Sequence, residues 1–172
     1  MNSSASPCQI APAGLADLPP IAALAATVWR AHYPGIISAA QIEYMLARMY
    51  DLETLRAEVL TGGIRYHCAR VEGELAGFSA FGPTITPGEF KLHKLYVHPA
   101  HQRRGIGRAL IRNVEQLAAN AGCRALILAV NKANHQAIAA YRQNGFIVRE
   151  SVVVEIGGGF VMDDYVMAKP VG

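Results

Sequence analysis

The sequence predicts a single domain of mixed α/β class, in which a central sheet of about seven strands is flanked by helices. The chain has 172 residues, of which 52% are hydrophobic and 17% are charged. This is a globular composition, and the length suits one domain with a substantial core. Strand-like segments alternate with segments of helical spacing along residues 1–172, which favours one mixed sheet over separate domains.

The N-terminal third begins with a short predicted strand over 8–12, and three predicted helices follow it. Asp17 stands where it can cap the first helix. Ser38 and Gln41 have the spacing of a capping box for the second helix, and Asp51 is placed to start the third. Apolar residues recur at helical spacing after each of these starts, so each helix is expected to bury one face.

The middle of the chain predicts three consecutive strands. Residues 64–71 and 75–82 form a hairpin around the turn at 72–74, and residues 89–97 form the next strand. The remaining predicted elements are a helix from about Arg104 to Ala121, a buried strand over 125–130, a helix over 134–144, and strands over 146–156 and 160–169. A glycine turn at 157–159 joins the last two strands.

Composition narrows the protein class. No apolar run is long enough to span a bilayer, and the N-terminus lacks the features of a signal peptide. The three cysteines, Cys8, Cys68 and Cys123, fit neither a disulfide framework nor a zinc-binding spacing. The histidines show no metal-ligand spacing either, so no metal site is expected. We therefore expect a cytoplasmic protein with reduced thiols.

Positive charge is concentrated at one helix start. Residues 89–172 hold 11 Lys and Arg against 6 Asp and Glu, and six of those cations fall between Lys91 and Arg112. Gly105 and Gly107 lie at the same place, although glycine weakens a helix. Helix N-termini attract anions, and glycines let a phosphate approach the backbone, so the stretch predicts a pyrophosphate-binding loop. Its spacing matches neither a P-loop nor a dinucleotide-binding fingerprint.

Two segments resemble motifs of the GNAT superfamily of N-acetyltransferases. Residues 94–111 resemble its acetyl-CoA motif, matched by Gln102, Arg103, Arg104, Gly105, Ile106 and Gly107. Residues 130–146 resemble its second motif, matched by Asn134, Ala137, Tyr141, Gly145 and Phe146. The sharp resemblance lies within 89–150. It implies a single GNAT domain with a mostly antiparallel sheet and, from the loosely similar ending at 162–169, a bacterial member that acts on small molecules.

The resemblance also implies roles for individual residues toward the co-substrate acetyl-CoA. The backbone of Leu95, Tyr96 and Val97 is expected to pair with the pantetheine arm. The pyrophosphate is expected at the loop formed by Gln102, Arg103, Arg104, Gly105, Ile106, Gly107 and Arg108. Asn134 is expected to contact the arm. Tyr141 is expected near the thioester sulfur, where a phenol can donate a proton to the leaving thiolate.

The general base does not follow from the resemblance. Two positions that hold a glutamate in other members of the superfamily are Lys91 and Ala129 here. His93 lies two residues after Lys91 on the same strand face, and a histidine can relay a proton at neutral pH. We therefore name His93 as the candidate base. Other routes through Asp163, Asp164, Tyr165 or a chain of waters stay open.

The predicted activity is acetyl transfer from acetyl-CoA to a primary amine, by direct transfer in a ternary complex. The acceptor is expected to be a small molecule such as a polyamine, whose distal ammonium one of Asp163 and Asp164 would hold. Because side chains alternate along a strand, at most one of these two points into the pocket. Two alternatives stay open, an acetyltransferase for protein N-termini or lysines and a non-catalytic acyl-CoA-binding module. Neither nucleic acid nor membrane is expected as a partner, and a homodimer is left open.

Overall fold

The computed structural model describes residues 8–172 and has the predicted order of elements. The elements are β1 (Gln9–Pro12), α1 (Leu18–His32), α2 (Ala39–Met49), α3 (Leu52–Leu60), β2 (Arg65–Val71), β3 (Glu74–Pro83), β4 (Glu89–Val97), α4 (Ile106–Asn120), β5 (Ala125–Asn131), α5 (His135–Gln143), β6 (Ile147–Gly157) and β7 (Phe160–Pro170). Single turns of 3₁₀ helix precede α1 and follow β4. The mixed α/β fold class is thus confirmed.

All seven strands form one sheet in the order β1-β2-β3-β4-β5-β7-β6. Every neighbouring pair is antiparallel except β4 and β5, which are parallel. That parallel pairing is short, because it joins only Glu89–Lys91 to Ala125–Ile127. Beyond Lys91 the two strands separate, and the sheet is open at its centre.

Helices cover both faces of the sheet, and each face has its own core. On one face α1, α2 and α3 pack against β2 and β3 around Trp29, Tyr66 and Phe78. On the other face α4 and α5 pack against β4, β5 and β7, with Phe90 and Met167 at the centre. The opening between β4 and β5 therefore connects the two helical layers.

The helix starts agree with the sequence in part. Ser38 accepts a hydrogen bond from the backbone N–H of Gln41 at 3.1 Å, and Asp51 caps α3 through the N–H of Glu53 at 2.9 Å. The second half of the capping box is wrong, because the Gln41 side chain donates to a carbonyl of β7 instead. Asp17 occupies the N-cap position of α1 as predicted, but its side chain makes no cap hydrogen bond to that helix. Its carboxylate accepts from the N–H of Gly14 and pairs with Arg70 at 2.6 Å.

Helix α4 begins at Ile106, two residues later than predicted, because Gly105 has a left-handed φ of 78° and stands outside the helix. All three cysteines are free thiols. Within residues 8–172, no helix combines the length and the apolar character that crossing a membrane requires.

Candidate functional site

A cavity of about 490 Å³ occupies the opening between β4 and β5. We call the side toward α4 and α5, where the sequence predicts the cofactor, the cofactor half; it includes Leu95, Val97, Gln102, Gly107, Arg108, Asn134, Gln136, Ala137 and Tyr141. We call the side toward α1, α2 and α3, where the sequence predicts the acceptor, the acceptor half; it includes Trp29, His32, Tyr33, Met49, Glu58, Lys91, His93, Lys94, Tyr96, Met162 and Asp164. The two halves are continuous, so two molecules can meet inside one cavity.

The loop that begins α4 has the features of an anion site. Gly105 occupies the N-cap position and places no side chain on the first helical N–H groups. Arg103 also adopts a left-handed φ, of 63°, which is uncommon for a residue with a side chain. A Cβ at Gly107 would approach only Val97 Cγ2, at 3.8 Å, so the glycine keeps this space open. Free N–H groups, positive charge and open space together fit a pyrophosphate.

A second cavity of about 270 Å³ lies against the same loop and includes Arg103, Gly105, Ile106 and Gly107. Gln102 and Gly107 belong to both cavities, so the loop and the opening in the sheet form one path. Arg104 lines neither cavity, and its side chain is exposed. Its predicted part is therefore limited to the backbone of the loop and to long-range attraction.

The open edge of β4 offers backbone groups to the cavity at two of the three expected positions. The N–H of His98 donates to Ala76 of β3 at 2.8 Å. Backbone groups alternate sides along a strand, so those of Tyr96 also face β3, while those of Leu95 and Val97 face the opening. The expected backbone pairing of Tyr96 with the arm therefore does not fit this strand. The Tyr96 ring packs among the aromatics of the acceptor half instead.

Tyr141 reaches the cavity from α5. Its ring meets Phe146 edge-on, with the centroids 5.8 Å apart. Burial, with a smaller contribution from Tyr33, raises the pKa of Tyr141 well above its ordinary value. The phenol therefore keeps its proton at neutral pH, but the same shift makes it a weaker acid than an exposed tyrosine, so the predicted acid role rests on its position in the cavity.

Asn134 joins the two helical layers. Its Oδ1 accepts from the N–H of Ala137 at 3.3 Å and caps α5. The same oxygen lies 2.9 Å from Nε2 of His32, in the last turn of α1. Because these two groups already engage Oδ1, the expected contact of Asn134 with the arm would come from the amide nitrogen. No local pattern in the sequence indicates the His32 contact.

His93 lies in a bulge of β4. Ala80 of β3 pairs with Lys94 and Phe81 pairs with Leu92, which leaves His93 without a partner in the ladder. The ring is accessible from the cavity, but desolvation there and the nearby charge of Lys91 lower the pKa of His93 to about 4. His93 is neutral at pH 7 and a weak proton acceptor. The expectation that it ionises near neutrality is corrected by these surroundings.

A buried ion pair forms part of the acceptor half. Lys94 is 5% exposed, and its Nζ lies 2.7 Å from Glu58 Oε2 on α3. The same Nζ donates to Tyr66 Oη at 2.7 Å and to the carbonyl of Met49 at 3.2 Å. Burial lowers the pKa of Lys94, and Glu58 opposes that shift. The sequence analysis did not predict this pair. The available signal was a lysine placed among the apolar residues of a predicted strand, where a buried charge needs a partner.

The two aspartates of β7 point to opposite faces, as alternation predicts. Asp163 is exposed and forms an ion pair with Lys132. Asp164 is 6% exposed, lines the acceptor half and leaves Oδ1 without a hydrogen-bond partner among the described residues. Burial, and then the charge of Asp163, raise the pKa of Asp164 to about 6, against the opposing charges of Lys91 and Lys132.

Known proteins match both the chain and its fold. A sequence model described as the acetyltransferase (GNAT) family matches residues 28–146. A spermidine N(1)-acetyltransferase from Thermoplasma acidophilum is 26% identical over 151 residues, which cover 86% of this chain and 90% of that protein. A streptothricin acetyltransferase from Streptomyces lavendulae is 37% identical over 75 residues, which cover 44% of this chain and only 40% of that protein.

A crystal structure of PaiA N-acetyltransferase from Thermoplasma acidophilum, in complex with coenzyme A, superimposes with a TM-score of 0.81 at 26% identity. The match covers 95% of this chain and 99% of that one. The family match spans most of the sequence and includes the glycine loop, the open edge of β4 and α5. The chain therefore belongs to the GNAT family of N-acetyltransferases, enzymes that use acetyl-CoA as the acetyl donor.

Proposed function

We propose that the protein transfers an acetyl group from acetyl-CoA to the primary amine of a small molecule, and that a polyamine such as spermidine is the first acceptor to test. One observation carries this proposal: the anion-binding loop and the acceptor half open into a single cavity at the separation of β4 and β5. Both substrates can occupy this cavity together, which fits direct transfer in a ternary complex.

The cofactor half would hold the donor through its backbone. N–H groups from Arg103 to Arg108 would bind the pyrophosphate, and the edge of β4 at Leu95 and Val97 would pair with the pantetheine arm as an added strand does. The thioester would then lie near Tyr141. The protonated Tyr141 phenol would donate to the thiolate as the carbon–sulfur bond breaks.

The acceptor half suits a small cation. Trp29 and Tyr33 stack with their centroids 4.4 Å apart and give an aromatic wall on which an ammonium or an alkyl chain can lie. Glu58 and Asp164 are the carboxylates of this half. The relative named as a spermidine acetyltransferase supports a polyamine, because its match extends over nearly the whole chain.

Lys91 favours a second class of acceptor. It lines the acceptor half, and no ion pair to it occurs among residues 8–172. Since Glu58 is already neutralised by Lys94, Lys91 and Asp164 remain as an uncompensated positive and negative pair across the cavity. A small amine that also carries a carboxylate complements both charges, whereas the second ammonium of a polyamine would meet Lys91.

The test is a panel of acceptors incubated with acetyl-CoA, with free thiol release and the mass of the acetylated product as readouts. The panel contains spermidine, a simple monoamine, an L-amino acid, an N-terminal peptide and a lysine-containing peptide. We expect the small amines to give the highest kcat/KM. A peptide as best substrate would replace the proposal with protein acetylation. Tight coenzyme A binding without transfer to any amine would favour an acyl-CoA-binding module.

A further inference from the structure

The structure assigns the role of proton acceptor for the attacking amine to Asp164. We infer this from its position at the opening of the sheet and from its unpartnered carboxylate oxygen. The inference rests on the proposed function and adds to it the residue that makes the amine a nucleophile.

The register of the sheet brings Asp164 to the opening. Asn131 at the end of β5 pairs with Asp164 of β7, and Ala129 pairs with Val166. Paired and diagonal residues on one face of a sheet are neighbours, and a diagonal pair lies about 7–8 Å apart. The Asp164 carboxylate is therefore next to the place where Ala129 borders the cavity. The short alanine leaves that space free for an incoming amine.

Among the residues that the structure describes, no other side chain at this border combines a negative charge with free bonding capacity. Lys91, on the opposite strand, is a cation. Glu58 already accepts from Lys94 and from the hydroxyl of Tyr66. Asp164 is buried, and its Oδ1 has no partner among the described residues. A buried carboxylate oxygen without a donor is costly, and an amine bound at this place would supply the missing donor.

The groups around Asp164 adjust its affinity for a proton. Lys91 of β4 and Lys132, which follows β5, favour the carboxylate. Asp163 on the same strand disfavours it. The charge of Asp164 in turn contributes to the raised pKa of Tyr33, at the end of α1. Burial has the largest effect and raises the pKa of Asp164 to about 6. At pH 7 and above the group is ionised, and it is a stronger base than an exposed aspartate.

With Asp164 as base and Tyr141 as acid, every proton of the acetyl transfer has a donor and an acceptor. Asp164 takes one proton from the incoming ammonium, and the freed nitrogen lone pair forms the new bond to the acetyl carbon. The carbon–sulfur bond breaks, its electron pair goes to sulfur, and Tyr141 protonates the thiolate. The second proton of the nitrogen returns to the Tyr141 phenolate, through solvent, as the amide forms. Asp164 releases its proton to solvent, so the products are the amide, the free thiol and one proton.

The experiment compares Asp164→Asn with the matched neighbour Asp163→Asn, whose carboxylate faces the other side of the sheet. For each we would measure coenzyme A affinity, and kcat and KM against pH for a monoamine and for spermidine. We expect Asp164→Asn to lower kcat for both amines by about 10²-fold or more. It should also remove the acidic limb of the pH–rate profile, which is the fall of kcat below about pH 6. The affinity for coenzyme A should stay within about twofold of the wild-type value. Asp163→Asn should keep the limb and move it to lower pH, because the charge that disfavours the Asp164 carboxylate is removed.

Three outcomes would overturn the assignment. The first is an Asp164→Asn enzyme that keeps both its kcat and its acidic limb. The second is a loss confined to the KM for spermidine, which would mean that Asp164 holds a distal ammonium. The third is an acidic limb that disappears in the His93→Ala variant, in which Asp164 is unchanged. Wild-type protein that acetylates no amine would instead refute the proposed function, so the two failures can be told apart.

Discussion

Lys94 of β4 and Glu58 of α3 form an ion pair inside the wall of the acceptor half, with Nζ 2.7 Å from Oε2. The Lys94 ammonium also lies 4.9 Å from the centre of the Tyr50 ring and 5.4 Å from that of Tyr66. These contacts fix α3 to the centre of the sheet at the bulge of β4. The pair thereby sets the shape of the acceptor half without facing the cofactor loop.

Removing the Lys94 charge is expected to destabilise the fold. Lys94→Met leaves the Glu58 carboxylate partly buried without its cation, which costs about 3–5 kcal/mol. Urea denaturation measures the loss. Lys91→Met is the matched control and should change stability by less than about 1 kcal/mol, because no ion pair to Lys91 occurs in the described part of the chain. Equal losses in the two variants would contradict this account of the pair.

Substitution at Gly107 is expected to abolish coenzyme A binding. Gly107→Glu puts a carboxylate into the anion site, where it competes with the pyrophosphate for the same N–H groups. Gly107→Ala is the milder control, because its Cβ makes an ordinary contact of 3.8 Å with Val97 and the fold should tolerate it. Calorimetric titration with coenzyme A should show weakened binding for alanine and none for glutamate. Wild-type affinity in Gly107→Glu would place the pyrophosphate elsewhere.

Loss of the Tyr141 hydroxyl is expected to slow the chemical step. Tyr141→Phe should lower kcat by about 10²-fold, the smaller end for general acid help, because a thiolate is already a fair leaving group. The KM for acetyl-CoA should change little, since the ring and its contact with Phe146 remain. Tyr44→Phe, whose hydroxyl donates to Ile156 away from the cavity, is the control. An unchanged kcat under conditions where chemistry limits the rate would make Tyr141 a core residue only.

Because the pKa of Asp164 is raised, the free energy of unfolding is expected to depend on pH. The folded state holds the proton of Asp164 up to about pH 6, whereas an unfolded aspartate loses it near 3.8. The neutral form therefore stabilises the fold at low pH, and this contribution disappears as the pH rises to about 6. Asp164→Asn should raise the free energy of unfolding at pH 7 by about 1–3 kcal/mol, with a smaller gain near pH 4. Urea titrations at the two pH values measure this. A gain that is independent of pH would be inconsistent with it.

Local patterns in the sequence were sufficient to predict the elements and the glycine loop at the start of a helix. Gly105 and Gly107, with the clustered arginines, depend on interactions within a few residues, and the structure places both glycines beside a cavity. Cofactor binding at this loop stays a prediction. The alternation of Asp163 and Asp164 is equally local, and it correctly limited the cavity to one of these two aspartates. Helix periodicity located α1 to α5 because each buries one face.

Features that need two distant segments were not predictable. The pairing of Lys94 with Glu58 depends on how α3 approaches β4, and the His32 contact with Asn134 joins residues 102 positions apart. The low pKa of His93 follows from the enclosure of the cavity, which one strand does not reveal. Asp17 was assigned to a helix cap because the local pattern allowed it, but Arg70 of β2 and the N–H of Gly14 provide stronger partners.

The central claim is that donor and amine react directly while both occupy the cavity between β4 and β5. Cysteines are the strongest nucleophiles that could carry an acetyl group on the protein, and none of the three lines this cavity. The decisive measurement is the initial rate with acetyl-CoA and the best small amine varied together, with the acetylated amine as product. The account predicts double-reciprocal lines that intersect. Parallel lines, or thiol release that proceeds equally fast without the amine, would contradict it.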